Sequence, residues 1–226
     1  MAKNITHSVR ERLLNIAKNL GVDYQVILTR YFHERFLYRL SQSTYKENFC
    51  LKGGTLLFAY EKFLARPTLD MDFSASKISI DFGFGDSIFP APLELPFPNI
   101  LTNTPSANLI AYPLETVIAE KFQSMIELAD QNSRMKDFFD IYNILINYTF
   151  DQDILAGAIQ KTFQNRNTVV TSDCILFDSD FGNSEKMNSL WKAFLNKIYF
   201  KDNLEFNDVW NFIKGHLSRF VETTTR

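Results

Sequence analysis

The chain's 226 residues, 46% hydrophobic and 22% charged, are enough to bury a sizeable core in one domain or two closely joined ones, which excludes a disordered or fibrous chain. Its 24 Lys and Arg against 26 Asp and Glu leave a formal charge of −2, so no global basic field draws nucleic acid and such a partner requires a local basic groove. No apolar run approaches the roughly 20 residues of a membrane span, and residues 1–6 carry no hydrophobic signal core, so a cytoplasmic protein with no membrane partner is expected.

Residues 6–42 read as two helices. Val9, Leu13, Ile16, Ala17 and Leu20 recur at helical spacing up to Gly21, and Asp23 stands where an N-cap belongs before Val26, Ile27, Tyr31, Leu37 and Leu40. Arg30, Arg35 and Arg39 along this second helix read as a solvated charged face. Asn48–Lys52 then reads as a short strand, in which Cys50 is a small core residue, running into Gly53-Gly54-Thr55 and a helix with Leu56, Leu57, Tyr60 and Leu64 inward. Two β-like stretches follow, Thr68–Phe73 and Ile78–Phe84. Residues 90–105 hold five of the seven prolines, and proline fixes φ and lacks a donor, so this segment reads as an extended connector and the best boundary. Pro113 suits a first helical position, and helices are predicted over roughly 114–130, 133–147, 152–164, 184–199 and 206–221. The predicted domains are therefore 1–112 (a core over about 46–90 with its connector at 90–112) and a helical 113–226.

Cys50 and Cys174 form no Cys-x-x-Cys pair, and His7, His33 and His216 lack metal-ligand spacing, which argues against a zinc or redox centre. The carboxylates carry more. In a strand, Asp70 and Asp72 share one face about 7 Å apart, an arrangement that two like charges tolerate only beside a cation or solvent. If the two β-like stretches form a hairpin with Ala75-Ser76 at the tip, Asp81 stands opposite Asp70, and three carboxylates meet on one patch. Hard oxygen ligands so gathered suit two Mg²⁺ ions, or Mn²⁺, roughly 4 Å apart. Gly53 and Gly54 between strand and helix let the backbone approach a phosphate, with Thr55 adding a hydroxyl; the plainer reading is a strand–helix turn. Arg66 has the guanidinium fork that fits a carboxylate or a phosphate. Lys121 falls near the centre of an apolar helical stripe, among Leu114, Val117, Ile118, Phe122, Met125, Leu128 and Ala129. There a lysine must snorkel outward or reach a buried anion. Lys136, Asp137 and Asp140 lie on the flank opposite Met135, Phe139 and Tyr142 and read as a helical charge network.

Leu51-Lys52-Gly53-Gly54-Thr55, Arg66–Phe73, Ile80–Asp86, Tyr112–Lys121 and Ser133–Asp140 together resemble the AbiEii/AbiGii (MenA-like) toxins, over most of the chain and most strongly from residue 5 to about 145. The resemblance implies an α/β (α+β) fold, a polymerase-β-like nucleotidyltransferase core with a small mixed sheet, flanked by N-terminal helices and a C-terminal helical region. It implies transfer of a nucleotide from an NTP to an RNA hydroxyl, tRNA for some members, and a cognate antitoxin of winged-helix regulator type. Asp70, Asp72 and Asp81 then hold the metals, with Asp81 as ligand or base. Gly53, Gly54, Thr55 and Arg66 serve the nucleotide. Lys121, matching the family's active-site lysine, neutralises phosphate charge, and Lys136 and Asp137 match its Lys-Asp-x-x-Asp motif. Family members carry several dozen residues between the Asp-x-Asp strand and the third acid, whereas Asp72 and Asp81 are nine positions apart here, so the core looks shortened. The competing expectations are a catalytically silent binding or regulatory partner and a small-molecule nucleotidyltransferase.

Overall fold

The computed structural model describes residues 2–62, 81–128, 131, 133–170 and 174–222. Contacts divide the chain into two compact units, residues 1–83 with 92–112, and residues 84–91 with 113–226. The described residues are mostly helical with one small antiparallel sheet, an α+β composition.

In the first unit, α1 (Ala2–Leu20) buries Leu13 and Ala17 and stops at Gly21, whose φ of +65° suits a residue without a Cβ. Asp23 caps α2 (Tyr24–Ser41) as expected, its Oδ1 accepting from the Gln25 N–H at 2.6 Å. The basic residues of α2 depart from the solvated face read in the sequence, for only Arg39 is exposed. Arg30 is buried with its guanidinium 4.6 Å from the Phe58 ring centroid. Arg35 donates to the Pro105 carbonyl at 2.7 Å and pairs with Glu34 at 2.8 Å. Glu34 is fully buried and accepts from the Ile100 N–H at 2.7 Å and the Thr104 hydroxyl at 3.0 Å. Those bonds fold the proline-rich stretch back onto α2, where Phe97, Ile100 and Leu101 join Ile27, Leu37 and Phe58 in one core.

The same bonds correct the connector reading. Residues 90–105 contain β1 (Leu93–Phe97), antiparallel to β2 (Ala107–Ala111) in the register Leu93↔Ala111 to Phe97↔Ala107. Pro96 fits a strand that, among the described residues, pairs on one side only. The strand expected at 48–52 shrinks to Leu51, which bridges Ala111 in parallel, after a 3₁₀ turn at Lys46–Asn48. Cys50 is part-buried rather than a core residue, and burial pushes its thiol up to about 11 against the pull of Lys52. The Asp70–Asp72 strand and the proposed hairpin tip lie outside the described residues, and Asp81–Phe84 form no strand.

The second unit holds α4 (Leu114–Leu128), α5 (Met135–Asn147), α6 (Gln152–Asn165), α7 (Glu185–Lys197) and α8 (Phe206–Glu222). All five were expected within about two residues, the ordinary uncertainty of helix ends. Pro113 precedes α4 by one residue rather than opening it. Phe122 meets Phe163 at 5.8 Å to join α4 to α6, and Phe138 meets Phe206 edge-on at 5.2 Å to join α5 to α8. Residues 84–91 are stitched on by Thr116, whose hydroxyl accepts from the Phe89 N–H and donates to the Phe89 carbonyl. Arg166 fastens the same segment, reaching Asp86 at 3.3 Å and Glu120 at 3.1 Å while donating to buried Gln123 at 2.8 Å. Among the described residues no helix is long and apolar enough to cross a membrane.

Two outcomes follow from these packings. A Cβ at Gly182 would lie 2.6 Å from Trp210 Cε3, in contact also with Asn207 Oδ1, so Gly182→Ala is expected to lower stability by about 1–3 kcal/mol in urea titrations. His33 is buried, and burial first, the Arg30 charge second, push its pKa down to about 4. A depressed value means that the unfolded chain binds the proton first as pH falls. The stability His33 contributes is thus whole above about 6.5 and lost towards pH 4, roughly 3 kcal/mol in total. Urea midpoints of a His33→Gln variant should show less of that decline over the same window.

Candidate functional site

The residues singled out in the sequence fall into both units. In the first, Leu51 donates to the Ile110 carbonyl at 2.8 Å and accepts from the Tyr112 N–H at 3.0 Å, so the chain leaves a sheet edge just before the glycines. Gly53 then opens α3 (Gly53–Glu61) with φ +72°. A Cβ there would meet nothing within 4 Å, so the backbone conformation rather than space is what asks for glycine. Gly54 and Thr55 occupy the first turn, and Lys52, the N-cap, places no side-chain hydrogen bond on it. The Lys52 ammonium lies 5.2 Å from the Tyr112 ring centroid. The first turn of α3 therefore presents amide N–H groups that the side chain of its N-cap residue does not cover.

Asp81 belongs to this unit and is exposed. The following residue, Phe82, sets its ring 5.6 Å from that of Phe49, which holds the chain beside the Asp81 carboxylate close to the segment entering Gly53. Asp70, Asp72 and Arg66 lie outside the described residues. Among the described residues no group of three His, Cys, Asp or Glu side chains is gathered to hold a metal ion. Asp81 is the described member of the expected set, and a solvent-facing carboxylate has the hard oxygens that Mg²⁺ takes.

In the second unit Lys121 does reach a buried anion. Its ammonium lies 2.7 Å from Asp137 Oδ1 and 2.8 Å from Asp140 Oδ2, with side-chain exposures of 13, 0 and 2%. Asp137 and Asp140 thus look across to α4 and are not an intrahelical surface network, because α5 turns its acidic flank onto the apolar stripe that contains Lys121. Burial, the largest influence, would lower the Lys121 pKa. The charges of Asp140 and Asp137 and their hydrogen bonds outweigh it, and the ammonium stands above its ordinary value.

Arg134, just ahead of α5, was not singled out in the sequence. Its Nε stands 2.9 Å from Asp137 Oδ2 and its side chain is 48% exposed. That oxygen receives no aligned hydrogen bond among the described residues, so the contact is Coulombic despite its short distance. The spacing i,i+3 was the available signal. Lys136 is part-buried beside these residues in sequence, and Asp140 holds Lys121 as closely as Asp137 does. Glu120, next to Lys121, turns the other way to Arg166.

A family model described as "Nucleotidyl transferase AbiEii toxin, Type IV TA system" matches residues 35–77 and 74–212. No curated protein matches the chain.

Lys121→Met would take the ammonium from between two buried carboxylates and is expected to lower stability by about 3–5 kcal/mol. Adding Asp137→Asn and Asp140→Asn should recover much of that loss, since no charge then remains unpaired. Because the Lys121 pKa is raised, its contribution is whole below the unfolded value of about 10.4 and is lost as pH climbs through the folded one. Denaturant melts of both proteins should show a gap that is constant from neutral pH to about 10 and narrows above it.

Proposed function

The chain belongs to the AbiEii family of nucleotidyl transferase toxins of type IV toxin–antitoxin systems, and on that premise we propose that it transfers a nucleotide from an NTP to a hydroxyl of RNA, tRNA being the expected acceptor. The observation that carries the reading is the family match, which spans residues 35–212 and takes in every residue assigned to the chemistry. The first turn of α3, which the Lys52 side chain does not cap, behind a left-handed Gly53 supports it, since an amide-lined helix start favours phosphate oxygens.

In this reading the acceptor hydroxyl attacks the α-phosphorus, the bond to the β-phosphate oxygen breaks, and pyrophosphate leaves. Asp70 and Asp72 are the carboxylates that would hold Mg²⁺, with Asp81 as a further ligand or as the base that takes the hydroxyl proton. Bound Mg²⁺ supplies Lewis acidity at the attacking oxygen and charge neutralisation at the leaving group. Gly53, Gly54, Thr55 and Arg66 receive phosphate oxygens. Lys121 has three N–H donors, of which Asp137 and Asp140 take two, and the third is the one for a phosphate oxygen. Asp137 and Asp140 act on Lys121 as positioning residues, and Lys136 adds positive charge. Most of the acceleration comes from positioning and electrostatics.

The core is proposed to be shortened between Asp72 and Asp81. The family match supports this by coming in two pieces that meet at residues 74–77. The partner is an antitoxin, proposed to be of winged-helix regulator type, and the compartment the cytoplasm.

The test is transfer of label from each α-³²P-NTP in turn to unfractionated tRNA with Mg²⁺, beside Asp70→Ala and a chelator control. Labelled tRNA is expected, with loss of at least a hundredfold in the variant and complete loss with chelator. Folded protein that labels no RNA with any nucleotide would sink the proposal and favour a silent partner.

A further inference from the structure

Three helices end in the same double hydrogen-bonded cap. At α1, Gly21 and Val22 donate to the Lys18 and Ala17 carbonyls; at α6, Asn167 and Thr168 donate to Gln164 and Phe163; at α7, Tyr199 and Phe200 donate to Asn196 and Leu195. The residue at the turn is left-handed each time, with φ of 65, 52 and 56°. Glycine is the usual occupant and asparagine the next, so α1 and α6 obey the rule and α7 breaks it. A tyrosine there sets its Cβ against the neighbouring carbonyl, and the fold gains nothing back from the ring, which is 83% exposed. The next residue, Phe200, packs edge-on to Phe139 at 5.5 Å, so the turn is anchored with Tyr199 held outward. An outlier of this kind points to a use for the side chain.

The surroundings indicate which use. Residues 186–201 contain Lys186, Lys192, Lys197 and Lys201 and no acidic residue, in a chain whose net charge is −2. All four lysines are exposed, as are Ser189, Ala193 and Asn196 on the same outer side of α7. Glu185 and Asp202 bound the stretch without interrupting it. Exposed cations around an outward aromatic ring match a nucleic-acid strand in both of its parts, since phosphates take the charge and an unpaired base takes the ring face.

We propose that the outer face and C-terminal turn of α7 form a contact surface for the acceptor RNA, with Lys192, Lys197 and Lys201 on phosphates and Tyr199 stacked on an unpaired base. The proposal rests on the RNA-acceptor reading above. It places an RNA contact on a helix that none of the chemical motifs includes.

The test uses the full chain and unfractionated tRNA, with binding followed by fluorescence anisotropy over a salt series. Tyr199→Gly is expected to weaken binding about tenfold or more while the Tm holds or rises, because glycine suits the left-handed turn better. Tyr199→Phe keeps the ring and should bind like the native chain. Replacing Lys192, Lys197 and Lys201 together by Ala should flatten the slope of log affinity against log salt by about 2. Native chain that labels and binds tRNA, with every variant binding equally well, would overturn this inference alone and leave the patch to an acidic protein. Affinity lost together with Tm, and lost equally in Tyr199→Phe, would overturn it as well. A native chain that neither labels nor binds tRNA would bring down the acceptor reading with it.

Discussion

The second unit is organised around one ammonium group between two carboxylates. Lys121 occupies a position on α4 that its neighbours make apolar, and it stays there only because Asp137 and Asp140 of α5 meet it at 2.7 and 2.8 Å. Neither helix could turn these faces inward alone, since an isolated buried charge is far more costly than the paired set. The pairing therefore fixes the rotation of α5 against α4, and through it the faces on which Phe138 and Phe139 pack against α7 and α8. One negative charge is left over, and Arg134 approaches it from the solvent side.

A similar arrangement governs the first unit. Glu34 is wholly buried, yet it holds a strand–turn segment 66 to 70 residues onward through a backbone N–H and a hydroxyl. In both units, buried acidic side chains connect segments far apart in the sequence. Among the described residues, Ile100 N–H and the Thr104 hydroxyl lie outside the ladder, and the Glu34 carboxylate takes them up.

The helices were legible in the sequence because apolar spacing and cap residues agree at almost every end, as with Asp23 before α2. The sheet was not. Pro96 argued against a strand, and the pairing of β1 on one side only among the described residues reconciles the two. The placement of Lys121 was legible as an anomaly, a cation on an apolar face, but spacing could not reveal that its anions lie on the next helix. Arg30 and Arg35 were misread for a related reason: charge on a helix says nothing about which neighbour will cover it, and here Phe58 and Pro105 do. The chemistry of Asp70 and Asp72 rests on sequence and family, since both lie outside the described residues.

The route of the chain has a consequence for how the protein can be made. Residues 84–91 belong to the second unit, while 92–112 return to the first before the second resumes at 113. During synthesis the first unit lacks Phe97, Ile100 and Leu101 of its core until that return is complete. Residues 85–86 meanwhile wait for Asn165 and Arg166, made some eighty residues later. The first unit is complete at residue 112 with 84–91 still awaiting the rest of the second, so a gene cut at the 112–113 junction would give the first half a segment that only the second half can use.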